Sequence, residues 1–139
     1  MRVTLSDEAR RFIGLFDEET GVSPIDCLVE GDRLVFLIPA GEMADAIGPG
    51  GRTVERVERK LGRGIELVED AATPEAFVAS ALAPAVVRGV TISEQGDRIA
   101  YAEVVAEDHG VAIGREGQHI ETARTLAKRH HDIDDITLT

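Results

Sequence analysis

The chain is poor in aromatic residues, with no tryptophan, one tyrosine and four phenylalanines among 139 residues. Phe12, Phe16, Phe36 and Phe77 fall at core-like positions, so no exposed aromatic platform is left on which bases could stack. One cysteine excludes an internal disulfide and a cysteine metal cluster. That residue, Cys27, stands in the strand-like run Ile25-Asp26-Cys27-Leu28-Val29 and reads as a small buried apolar residue. No apolar run approaches the roughly 18 residues of a membrane span. Met1-Arg2-Val3-Thr4-Leu5 has no signal-peptide core, and a cytoplasmic protein is the expectation. No Walker phosphate loop, Ser/His/Asp set or zinc-deaminase pattern appears. The adjacent His130 and His131 point about 100° apart on a helix and do not share a site. No catalytic residue, metal ligand or cofactor is expected.

Lysine is also scarce. There are 13 arginines and only 2 lysines, Lys60 and Lys128, against 26 acids, for a net charge of −11. Such a balance argues at first sight against a nucleic-acid partner. Acidity with almost no lysine reads instead as adaptation to a salt-rich cytoplasm, where self-repulsion is screened. Global charge then says little about partners, and local patches decide.

What the chain does have is a repeat. Ala46-Ile47-Gly48-Pro49-Gly50-Gly51 and Ala112-Ile113-Gly114-Arg115-Glu116-Gly117 both read Ala-Ile-Gly-x-x-Gly, 66 residues apart. Upstream, Gly31-Asp32-Arg33 is echoed by Gly96-Asp97-Arg98 at an offset of 65. Two matches at nearly one offset argue for a tandem duplication. The units are residues 1–72 and 73–139, each near the lower size limit for folding alone. They are therefore expected to pack rigidly together, with no Ser/Gly-rich linker between them.

Each unit carries the same order of elements. Ser6 caps a first helix with Asp7 and Glu8 in its opening turn. Leu5, Ala9, Phe12, Ile13 and Phe16 give it one apolar face, and Gly21 ends it. Strands follow at about 25–30 and 34–38, joined by a hairpin turn at Gly31-Asp32. A short helix over 42–47, the glycine-rich turn, a longer helix over 52–61 and a strand over 65–68 complete α-β-β-α-α-β. In the second copy Thr73-Pro74-Glu75 opens a helix to about Ala83. Strands at about 86–94 and 98–105, helices over 108–113 and 118–129 and a strand over 133–138 follow.

A turn with glycine at both ends lets backbone N–H groups approach a phosphate closely. In the first turn Pro49 removes one donor, and Arg52 follows directly. Arg52, Arg56, Arg59 and Arg63 fall within about 60° of one another on the face opposite Val54, Val57 and Leu61. Arg63 extends this file about 16 Å from Arg52. Arg52 and Arg56 are the candidates for phosphate contact. In the second turn Arg115 supplies a basic tip, Glu116 opposes a phosphate, and His119 is placed to donate to one. The second long helix lacks the arginine file, so the first unit is expected to hold backbone more firmly.

Two consecutive helices joined by Ile-Gly-x-x-Gly inside a small α+β unit resemble the KH domain. The order of elements is similar to its type II form. A tight tandem pair spanning essentially the whole chain resembles the archaeal NusA-like transcription factors. The resemblance implies an α+β protein of two tandem type II KH domains. It implies single-stranded RNA binding in transcription elongation, termination or antitermination, with no catalysis and no cofactor. RNA backbone would be clamped by Gly48, Pro49, Gly50, Gly51, Arg52 and Arg56 in the first unit. Gly114, Arg115, Glu116, Gly117, Gln118 and His119 would serve in the second. Ile47 and Ile113 begin the base groove under this resemblance; read as residues alone, they serve equally as plain core. RNA polymerase or other transcription factors are the implied protein partners, and no membrane is. Two alternatives stand beside this reading: a KH protein of ribosome assembly, and a protein-interaction scaffold whose turns merely connect helices.

Overall fold

A computed structural model describes residues 3–139. Met1 and Arg2, which begin the leader reading and the first domain, lie outside the described residues. The chain divides into two compact units, Thr4–Asp70 and Ala71–Thr139, with Val3 grouped with the second.

In the first unit, α1 (Asp7–Thr20) begins where the Ser6 hydroxyl accepts the Ala9 N–H at 3.1 Å. It stops at Gly21, whose φ of 75° turns its N–H back onto the Asp17 carbonyl. Strands β1 (Asp26–Glu30) and β2 (Arg33–Ile38) pair antiparallel through a two-residue turn. The chain then passes through α2 (Met43–Ile47) and α3 (Arg52–Leu61) and returns as β3 (Gly64–Glu69), parallel to β2. The parallel return needs a crossover, and the two helices supply it. Phe12 and Phe16 of α1, Phe36 of β2 and Val57 of α3 meet in one core, with the Phe16 and Phe36 rings 4.6 Å apart.

The second unit repeats the plan. Thr73 caps α4 (Pro74–Ala81), its hydroxyl accepting the Ala76 N–H at 3.2 Å. β4 (Val87–Ser93) and β5 (Ile99–Val104) pair antiparallel. Helices α5 (His109–Ile113) and α6 (Gln118–His131) lead to β6 (Asp135–Leu138), parallel to β5. Phe77, Leu126, Ile133 and Ile136 are fully buried.

Three boundaries lie two residues from the sequence expectation, and one of them is β6, which begins at Asp135 rather than at 133. α4 ends at Ala81 rather than Ala83, because the residue before Pro84 is pushed out of helical conformation. α6 runs on to His131 rather than Arg129. No glycine follows it, and Asp132 takes the left-handed closing conformation at φ 56°. Among the described residues no helix is long and apolar enough to cross a membrane.

Candidate nucleic-acid interface

The two glycine-rich turns have the same backbone. Gly48 stands at φ 76°, ψ 169° and Gly114 at φ 78°, ψ 176°. Gly51 and Gly117 are left-handed at φ 77° and 74°, and each opens the long helix that follows. At the inner position Gly50 (φ 62°, ψ 20°) is matched by Glu116 (φ 56°, ψ 25°). A glutamate held in the left-handed region shows that the fold, not the residue, dictates this turn.

The first glycine of each turn is required twice over. Its backbone conformation is one that essentially only glycine adopts. A Cβ on Gly48 would also strike the Thr53 side chain, and one on Gly114 would strike Cβ of His119. Thr53 and His119 thus hold equivalent places, each backing its turn from the following helix.

Hydrogen bonds inside the turns fix which donors remain. Gly51 N–H donates to Gly48 O at 3.1 Å, and Gly117 N–H to Gly114 O at 3.1 Å. Arg52 N–H goes to Pro49 O, and Gln118 N–H to Arg115 O. Pro49 has none to give. Gly50 is therefore the tip donor of the first turn, while Arg115 and Glu116 supply two in the second. The second turn gains a donor and carries a carboxylate beside it.

Ile47 and Ile113 are 37% and 43% exposed, so neither is plain core. Ile113 lines a groove of about 480 Å³ with Glu116, Gly117, Ile120, Arg124 and Leu138. Arg124 is built into its wall, donating to the Ile136 carbonyl at 3.0 Å and pairing with Glu121 and Asp135. An aliphatic wall beside a glycine turn matches the flat, partly apolar face of an unstacked base.

The arginine file of α3 is divided. Arg52 and Arg59 are exposed. Arg56 instead reaches α1, donating to the Glu19 carbonyl at 2.7 Å and to its carboxylate at 3.3 Å. Lys60 binds the same carboxylate. The Lys60 ammonium, with Arg56 beside it, holds the Glu19 carboxyl below the usual range against the opposing effect of desolvation. Arg63 is not on the helix at all, because α3 closes at Gly62 with φ 66°. Its guanidinium lies over the Phe12 ring instead, 5.1 Å from the centroid. Glu19 gave no sequence signal, since it meets Arg56 only once α1 and α3 pack.

The histidines have local duties. The His109 ring Nε2 is 3.0 Å from the Val104 carbonyl, and His131 stacks on Phe77 at 4.6 Å. Among the described residues no group of three or more His, Cys, Asp or Glu side chains could hold a metal ion. Cys27 is buried, and burial with the nearby Asp26 and Glu8 charges pushes its thiol up to about 12, against the opposing charge of Arg63.

Sheet, helices and glycine turn define a KH-like α+β protein. Residues 74–139 match the NusA-like second KH domain. The chain is 62% identical to the probable transcription termination protein NusA of Halococcus morrhuae over 99% of both chains. It is 56% identical to the protein of the same description from Halobacterium salinarum, over the full length of each. The solved structure of APE1850 superposes with a TM-score of 0.83 at 29% identity, over 97% of this chain and 100% of that one. The chain belongs to the NusA family of transcription termination proteins. Its acidic, lysine-poor composition agrees with relatives from Halococcus and Halobacterium.

Proposed function

We propose that this protein binds single-stranded RNA through its two Gly-x-x-Gly turns and acts on transcription elongation, termination or antitermination through that RNA. The observation that carries the reading is the duplicated turn, built with one backbone geometry on different side chains. Geometry kept while side chains vary is what a backbone-reading clamp requires. The fully matched relatives named as transcription termination proteins support the process. The role is that of a cytoplasmic binding factor without enzymatic activity. RNA polymerase and other transcription factors are the protein partners it would meet. Phosphate is held at Gly50, Arg52, Arg115, Gln118 and the neighbouring backbone, and Ile47 and Ile113 line the base side. His119 backs the second turn. Arg56 joins only when it leaves Glu19.

In a salt-rich cytoplasm the counterion-release contribution shrinks. Affinity then rests on directional N–H bonds, arginine forks and base burial. The test is binding to a labelled random pool of single-stranded RNA in high potassium chloride. Wild type is compared with Pro49→Asp/Gly50→Asp and with Arg115→Asp. Aspartate is admissible at position 50, because Glu116 already occupies the equivalent conformation. Saturable binding that either variant loses supports the clamp. A folded wild type that binds no RNA refutes it and leaves the protein-interaction scaffold.

A further inference from the structure

Arg11 and Arg63 come from different elements yet share one ring. Their guanidinium carbons lie 5.4 Å and 5.1 Å from the centroid of Phe12. Arg11 is on α1, and Arg63 sits between Gly62 and Gly64 in the turn from α3 to β3. Phe12 itself is only 5% exposed, so it offers no face to a base. What the surface presents is two forked cations, oriented by cation–π contact.

Three of the eight described cations of this unit are matched by acids. Arg33 pairs with Glu30 and Glu66, and Arg56 and Lys60 pair with Glu19. Among the described residues of this unit Arg10, Arg11, Arg52, Arg59 and Arg63 have no ion pair. Two acids, Glu8 and the buried Asp26, share the corner. Their fields and that of Arg63 act in opposite directions on the Cys27 thiol. From the glycine turn, then, unmatched arginines run from Arg52 along α3 through Arg59 to the Arg11–Arg63 pair.

The second unit shows that ring cover alone does not call for arginine. Phe77 of α4, four residues after the Thr73 cap, is the buried ring on the first helix of that unit. There the ring is covered by the stacked imidazole of His131, with no arginine over it. One histidine does for packing what two guanidinium groups do in the first unit.

We propose that Arg11 and Arg63 form a second RNA-phosphate site, outside the glycine turn, which holds the backbone of a strand leaving the first clamp along α3. The site adds length to the bound RNA without reading sequence. It rests on the RNA-binding reading above.

The test uses the full chain in potassium chloride, with fluorescently labelled random RNA of about 4 and about 12 nucleotides, since a single KH site clamps about four. The variant Arg11→Ala/Arg63→His leaves an imidazole to cover the Phe12 ring and removes both forks. Affinity for the 12-mer should fall roughly tenfold, with the slope of log K against log salt shallower by about 1.4, the value for two lost single-strand phosphates. Affinity for the 4-mer should stay within about twofold, because one short strand fills the clamp alone. Arg11→Lys/Arg63→Lys, which keeps both charges, should recover most of the loss. If the histidine variant does not fold, Arg11→Gln alone should flatten the slope by about 0.7. Equal 12-mer binding by wild type and variant overturns the site while the clamp stands. Failure of wild type to bind either oligomer removes both readings.

Discussion

The glycine turns can be tested without any ligand. A Cβ at Gly48 would lie 2.0 Å from Thr53 Oγ1, 2.5 Å from its Cβ and 3.0 Å from its backbone nitrogen. Thr53 lies in α3, so backbone as well as side chain must move. At Gly50, in the same turn, a Cβ meets nothing within 4 Å. The two positions therefore separate steric cost from conformational cost. For Gly48→Ala, the backbone strain of a glycine-only region is about 1–3 kcal/mol. Overpacking against Thr53 contributes a similar amount. A destabilisation near 4 kcal/mol is expected, and on the order of 10 °C in Tm for a chain of this size. Gly50→Ala carries only the left-handed penalty, about 1 kcal/mol. Thermal unfolding of both variants, followed by circular dichroism in high potassium chloride, measures the difference. Gly114→Ala should behave like Gly48→Ala, since its Cβ would lie 2.5 Å from that of His119. Equal melting temperatures for Gly48→Ala and Gly50→Ala would refute the argument that the first glycine is held by close packing.

Two further outcomes follow from buried and paired groups. The Cys27 thiol is pushed up to about 12 by burial, from an ordinary value of 9.0. Above pH 9 the unfolded chain loses this proton and the folded chain keeps it, so stability falls as pH rises by about 1.4 kcal/mol per pH unit. Denaturant titrations of wild type and Cys27→Val at pH 8 to 10.5 should diverge only on the alkaline side. Glu19 is shifted the other way by Lys60 and Arg56, so its contribution is present above its unfolded value and fades as pH falls through the lowered one. Glu19→Gln should abolish that acid-side dependence. It should also release Arg56 toward the first clamp, raising RNA affinity in the same assay by a few-fold, as one more charge-assisted contact would.

Much of the fold was legible in local chemistry. The Ser6 and Thr73 caps and the Gly21 stop act within one helical turn, so spacing alone exposes them. The repeat fixed the order of elements twice, and the glycine turns were visible as motifs. The arginines were harder to read. A helical wheel extended through Gly62 placed Arg63 beside Arg52, yet the left-handed glycine ends the helix first. Arg56 looked available on the same wheel, but its partner lies 37 residues earlier in sequence. Such pairings depend on how α1 lies against α3, which no local pattern encodes. Glu116 read only as a misplaced charge. That it takes a glycine's conformation became visible once both turns could be laid side by side.

The Glu116 conformation has a practical consequence. Since a bulky residue already sits at that tip without displacing the turn, shape and chemistry are separable there. Positions 50 and 116 are interchangeable sockets, into which a cysteine, a dye or a crosslinker can be placed while the flanking glycines keep the frame. The single native cysteine is buried with a thiol pushed up to about 12, so a new thiol at either tip would be the one a labelling reagent finds. Each turn could then be probed separately on the intact chain.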